Sequence, residues 1–489
     1  MARNAELDLV LTSALRVART VKDRARRASQ ANYASETPKL LAELIFRTAD
    51  FLEDRLLRLG SEPSIPANLK YAQLSFHCLA SVHSHLRFVE TAAVRATPWS
   101  LVRPFEDLAR GLHGDAAAFV LRPRWGYNYS IGEVVGQYRG VLEGLATDAE
   151  LASVLKGIPK HLYVTSFAGV ERLHVLLHVL LGHEIAHPIE RAYFKKPTRR
   201  LARIPRILRK LGTSYHEMAQ LARGELDELL RKVYAIDAVF CDALGELMCD
   251  HACVILFGPA ALFAMEEFGR RSDLDKFTIE DHHPPWRYRL RAALAALPWE
   301  GVETYLALCG LNKRWCDSVR RRYNRIDRLA KVGTDERKLD CDDGTSIAYA
   351  LVRESKVRAY QHIEKKLAKS FTLDNLPHEG MKQLIDRLRN GVLPNEYWRD
   401  IPSGGSPDGV GCWSSKEPVA ADLRAIIVSA ALYRTHFLPS AFCFGKDGNA
   451  VGEFYDRCHC ADRLVLRAIE CAHLQRRYEP YNKAVAWES

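Results

Sequence analysis

The sequence predicts an α+β fold that is mostly helical, and three observations carry that expectation. Apolar residues recur with helical spacing over long stretches, first in Ala5–Leu59 and again from Ser214 to Met265. Two short segments alternate apolar and aromatic residues in the manner of strands, Ala116–Ile131 (AAAFVLRPRWGYNYSI) and Leu162–Phe167 (LYVTSF). There is no internal repeat and no low-complexity tract, so neither a solenoid nor a disordered array fits.

Taken in order, the heptad-like spacing predicts a helical N-terminal region over 1–95. The Pro-Arg-Trp-Gly stretch inside Ala116–Ile131 predicts a strand or hairpin, and Leu162–Phe167 predicts a second strand. An apolar, helix-compatible run follows, Val170–Gly182 (VERLHVLLHVLLG). Helices are expected through Met265, then a Pro-Pro loop at His283 that leads into a basic helix, Tyr288–Leu297. Beyond residue 300 the chain reads as mostly helical, broken by a Gly/Ser/Pro-rich loop at Pro402–Lys416. Three regions follow: helical over 1–95, a central core over 96–300, and a mostly helical part over 301–489.

Composition is that of a globular protein with room for one large core or two to three ordinary ones: 489 residues, 47% hydrophobic and 27% charged. The longest uncharged apolar run, Ala252–Met265, contains Gly258 and Pro259 and stops well short of the ~20 residues a spanning helix needs. Charges are mixed through the N-terminal segment, which therefore lacks a signal-peptide core, and nothing marks a propeptide. Twelve cysteines are too few for a disulfide scaffold and favour a reducing compartment; a soluble, cytoplasmic protein is the expectation. The net charge of +10 concentrates in Arg16–Arg27 and Lys195–Lys210 (KKPTRRLARIPRILRK). The second stretch could steer an acidic partner or nucleic acid, although no nucleic-acid module accompanies it and a solvated face explains it as well.

The chemistry lies in the middle of the chain. Residues 183–187 read His-Glu-Ile-Ala-His. On a helix, positions four apart share a face, so His183 and His187 can grip one ion, Zn2+ by the chemistry of the donors. Glu184 stands beside them within reach of that ion's open position, as general base. His174 and His178 fall on the opposite side of such a helix and read as packed histidines; Pro188 should end or kink it. Downstream, in Ala243–Cys253 (ALGELMCDHAC), Glu246 and Asp250 are one helical turn apart among apolar neighbours. Carboxylates are costly there unless paired or bound to metal, so Glu246 is the candidate third ligand and Asp250 a hydrogen-bond partner of a ligating histidine. The third piece is His283-Pro-Pro-Trp-Arg-Tyr-Arg289, whose histidine or arginine could donate to a developing oxyanion. Cys458-His459-Cys460 with Cys471 and His473 is a weaker cluster; packed or surface thiols explain it better than a second metal.

In that order, HEIAH, ELMCD and HPPWRYR resemble the gluzincin zinc metallopeptidases of the CAAX prenyl endopeptidase and HtpX type. The resemblance covers roughly the middle quarter of the chain and implies a zincin-like catalytic core with a small sheet beside the HExxH helix. It implies His183, His187 and Glu246 as zinc ligands, Glu184 as general base, Asp250 behind the ligands, and His283 and Arg289 against substrate or oxyanion. Members of that type usually sit in the membrane, whereas this chain shows no spanning segment. The expected activity is hydrolysis of peptide bonds in a peptide or protein substrate, held in extended form by strand addition. Two other readings stand beside it: a catalytically silent zinc-binding scaffold whose basic surface binds a partner, and a metallohydrolase of small amides. His216 or His251 as third ligand would change the family and keep the metal chemistry.

Overall fold

The structure, a computed structural model, describes residues 5–59, 65–126, 128–271, 283–331, 343–368, 376–400, 416–437 and 449–488. The chain divides into two compact units, Met1–Arg172 and Leu173–Ser489. The mostly helical α+β class expected from the sequence is what forms.

The first unit holds α1 (Ala5–Ser29), α2 (Thr37–Leu59), α3 (Ile65–Thr91), α4 (Trp99–His113), β1 (Ala117–Arg124), β2 (Ser130–Glu133), α5 (Val135–Leu142), α6 (Asp148–Val154) and β3 (His161–Ala168). Small residues at helical spacing on α1 (Ala14, Ala18, Val21, Ala25) let α2 and α3 pack closely against it. The sheet order is β1-β3-β2, with β3 parallel to β1 and antiparallel to β2. The two strand segments are where the alternation places them, but β1 and β2 do not form a hairpin. β3 inserts between them, because a strand buried along nearly its whole length needs partners on both edges. Val120, Leu162 and Val164 share one apolar core with the N-terminal helices, so the expected boundary at residue 95 runs through a single core. The expected sheet beside the metal helix is accordingly part of the first unit, while the HEIAH motif belongs to the second.

The second unit holds α7 (Leu181–Glu184), α8 (His187–Phe194), α9 (Pro197–Lys210), α10 (Tyr215–Gln220), α11 (Arg223–Phe257), α12 (Pro259–Arg271), α13 (Trp286–Ala296), α14 (Trp299–Leu308), α15 (Lys313–Lys331), α16 (Asp343–Leu367), α17 (Met381–Arg389), β4 (Glu396–Asp400), β5 (Lys416–Ala420), α18 (Leu423–Phe437) and α19 (Asn449–Glu488). Its organising element is α11, 35 residues long, against which α7, α8, α9, α13 and α16 all pack. Gly258, at φ 52°, ends α11, and Pro259 opens α12. The long apolar run therefore folds as two helices meeting at that corner. Among the described residues no helix is long and apolar enough to cross a membrane. β4 and β5 pair antiparallel; of the Pro402–Lys416 loop only Lys416 lies within the described residues.

Candidate metal centre

HEIAH does not lie on one continuous helix. Short 3-10 turns, Gly169–Glu171 and Leu177–Leu180, replace the helix expected over Val170–Gly182. α7 stops at Glu184 and α8 starts at His187. The Ile185 N–H still donates to the Leu181 carbonyl at 2.9 Å, but the Ala186 N–H donates one residue shorter, to His183, at 3.0 Å. Pro188 is the cause: it has no N–H for the Glu184 carbonyl, and its ring crowds that oxygen. Ile185 and Ala186 nevertheless keep right-handed backbone angles. The two imidazoles therefore still meet, edge to face, with centroids 5.0 Å apart.

Gly182 sets how close this turn comes to α11. A Cβ there would stand 2.7 Å from Cε2 of Phe257. Gly182→Ala is expected to cost about 1–3 kcal/mol by overpacking, read as a lower urea midpoint. An unchanged midpoint would mean that Phe257 turns aside freely.

α11 supplies the other half. Glu246 and Asp250 are buried, one turn apart, facing the histidines. Nε2 of His183 is 3.4 Å from Oε2 of Glu246, and Nε2 of His187 is 3.8 Å from its Oε1. The rear nitrogens are held by other carboxylates: Nδ1 of His183 lies 2.9 Å from Asp250, and Nδ1 of His187 lies 3.4 Å from Glu190. That arrangement fixes each ring and turns both Nε2 atoms toward one point, as second carboxylates do behind metal-binding histidines. Glu190 was not foreseen, although its place three residues after His187 on α8 is the signal that could have found it.

Glu184 is buried, with Oε2 4.0 Å from Nε2 of His187. Burial raises its carboxyl pKa above the ordinary value, with His187 and then His183 opposing. Burial alone would likewise raise Glu246, but the Arg289 guanidinium and then His183 hold it well below the carboxylate range. For His183, burial pushes the imidazolium down, yet Glu246 and then Asp250 outweigh it and lift the pKa to about 10.

Arg289 is not where a substrate contact would be. It is buried; Nε and Nη2 donate to the two oxygens of Asp250 at 2.8 and 2.7 Å, and Nη1 lies 2.9 Å from Glu246. Its guanidinium also stacks 4.2 Å over Trp286. Two carboxylates this deep demand a forked cation, and that demand draws the arginine inward. His283 is different: its side chain is half exposed, and Nδ1 sits 3.3 Å from Oε1 of Glu246.

One thiol joins the group. A nitrogen from each of His183 and His187 and the sulfur of Cys249 lie within 4.8 Å of one another, and these three could hold a metal ion. Cys249 is fully buried, and burial, then Glu190, Glu246, Glu184 and Asp250, push its thiol pKa well above the ordinary value. Imidazole and thiol are donors zinc prefers, and the trio itself contains no carboxylate: Glu246 lies beside it, 3.4 Å from His183 and 3.8 Å from His187. Charge points the same way. Glu246 and Asp250 share the one guanidinium of Arg289, while Glu190 stands behind His187 and Glu184 beside it, so carboxylates crowd the two imidazoles.

The other candidates lie elsewhere. His251 stacks on Tyr360 at 3.9 Å and pairs with Glu364 at 2.9 Å, and His216 meets Gln220 at 3.0 Å; neither joins the group. His174 accepts from the Leu177 N–H and pairs with Glu267 at 2.8 Å, and His178 is fully buried, so both are packed as expected. Cys458, Cys460 and Cys471 all ride on α19, where the first and last stand about 20 Å apart along the axis. No second metal group forms among the described residues. Much of the Lys195–Lys210 charge is matched internally: Arg203 is bidentate on Asp237, Arg206 and Lys210 pair with Glu354, and Arg199 stacks on Tyr193.

Compared with protein-family models, with curated proteins and with solved structures, the chain matches none.

Proposed function

We propose that the chain is a zinc-dependent metallopeptidase whose centre is built from His183, His187 and Glu246, with Glu184 as general base. The observation that supports this best is the convergence of two Nε2 atoms on one buried carboxylate, each ring held from behind by another. When bound there, zinc supplies Lewis acidity, acidifying water and polarising the scissile carbonyl. The rest falls to the protein. Asp250 and Glu190 fix the two imidazoles in orientation. Arg289 keeps Glu246 and Asp250 ionised and aimed. Glu184, a buried carboxyl beside His187, takes a proton from the attacking water and returns it to the leaving amine. His283, half exposed next to Glu246, is the group able to donate to a carbonyl oxygen as charge develops on it. A silent zinc scaffold is the second reading, favoured by one observation: Cys249 offers a further protein donor that would close the ion off from substrate.

The test is elemental analysis of the purified protein beside His183→Ala and Glu246→Ala. Near one zinc per chain, lost in both variants together with a zinc-dependent rise in melting temperature, is the expected result. A folded wild type that takes up no zinc when supplied would overturn the proposal.

A further inference from the structure

Glu246, Cys249 and Asp250 occupy positions i, i+3 and i+4 of α11 and so share the face that meets the histidines. The other thiols of this helix have hydrogen-bond partners outside the centre, although Cys253 also stands near the His183 backbone and Asp250. Cys253 donates to the Val179 carbonyl at 3.4 Å, and Cys241 lies 4.0 Å from an oxygen of Asp237. Cys249 instead stands among the groups of the centre, its sulfur within 4.8 Å of both imidazoles. Glu246 is not free to act alone, because its Oε2 is already engaged by Arg289 at 2.9 Å.

We infer that Cys249 is itself a ligand, its sulfur joining His183, His187 and Glu246 on the same ion so that four protein donors close the resting centre. The inference rests on the zinc reading above and deepens it. Catalytic zinc sites keep one position for water or substrate, whereas closed sites are structural. A sulfur ligand here makes the centre a latent one, which opens for chemistry only when the thiol is displaced. The step balances without any oxidant: the S–H bond breaks, its proton goes to solvent, and a sulfur–metal bond forms. Displacement reverses both changes.

The experiment loads the full chain with Co2+ in place of Zn2+ and records its absorption. Expected is a near-ultraviolet sulfur-to-cobalt charge-transfer band alongside the visible ligand-field bands. Cys249→Ala should lose the first and keep the second, and Cys253→Ala should keep both. Ligand-field bands without a charge-transfer band in the wild type, or a charge-transfer band surviving in Cys249→Ala, would overturn the inference and leave the zinc proposal standing. No cobalt or zinc uptake at all would overturn both. Should Cys249→Ala fail to fold, X-ray absorption of the zinc-loaded wild type decides: one sulfur at about 2.3 Å supports the inference, and a shell of nitrogen and oxygen alone refutes it.

Discussion

Glu184→Gln is expected to keep its zinc and to hydrolyse peptides about 10³-fold more slowly, the order that positioned acid–base groups contribute. The substitution is nearly isosteric, so the buried packing beside His187 survives. What disappears is the ability to hold a proton: a carboxamide neither accepts one from water nor hands one to a leaving amine. The measurement pairs zinc content with turnover of a peptide library in the same preparation. Undiminished hydrolysis by a zinc-replete variant would remove Glu184 from the mechanism.

The largest stability effect is expected at Arg289. Arg289→Met should cost about 3–5 kcal/mol, because the buried Asp250 and Glu246 would lose the guanidinium that pairs with both and keep only His183 between them. Arg289→Lys should recover only part of the loss, since a point charge cannot reach both oxygens of Asp250 and Glu246 at once. The readout is the urea midpoint of the metal-free protein, with saturating zinc as a second arm that should restore part of the lost stability. A loss below about 1 kcal/mol would mean that water reaches the cluster and does the work assigned to the arginine.

The candidate centre was legible wherever side chains follow helical spacing. Glu246 and Asp250 fall on the face that their four-residue offset predicts, and both approach His183. Arg289 could be found from the sequence but not understood. Its partners lie 39 residues and more upstream, and only the burial of those acids shows that it must turn inward rather than toward substrate. The sequence does not single out Cys249, because nothing local distinguishes a packed thiol from one facing the histidines. The break in the motif helix was signalled by Pro188 and still does not separate the histidines, since the turn keeps right-handed angles. In the sheet, alternation located the strands, but β3 pairs between β1 and β2 through a register that no single segment encodes.

The reach of α11 has a consequence for how this chain can change length over evolutionary time. One rod carries Asp237, tied to Arg203 of α9, and then Glu246, Cys249 and Asp250. An inserted residue between Asp237 and Glu246 would swing the second group about 100° around the axis relative to the first. Either the clamp to α9 or the acids behind the histidines would then point away from its partner. An insertion of four residues would still leave the second group about 40° out of phase, and one of seven about 20°. A change of length between Asp237 and Glu246 therefore breaks either the clamp to α9 or the approach of the acids to the histidines.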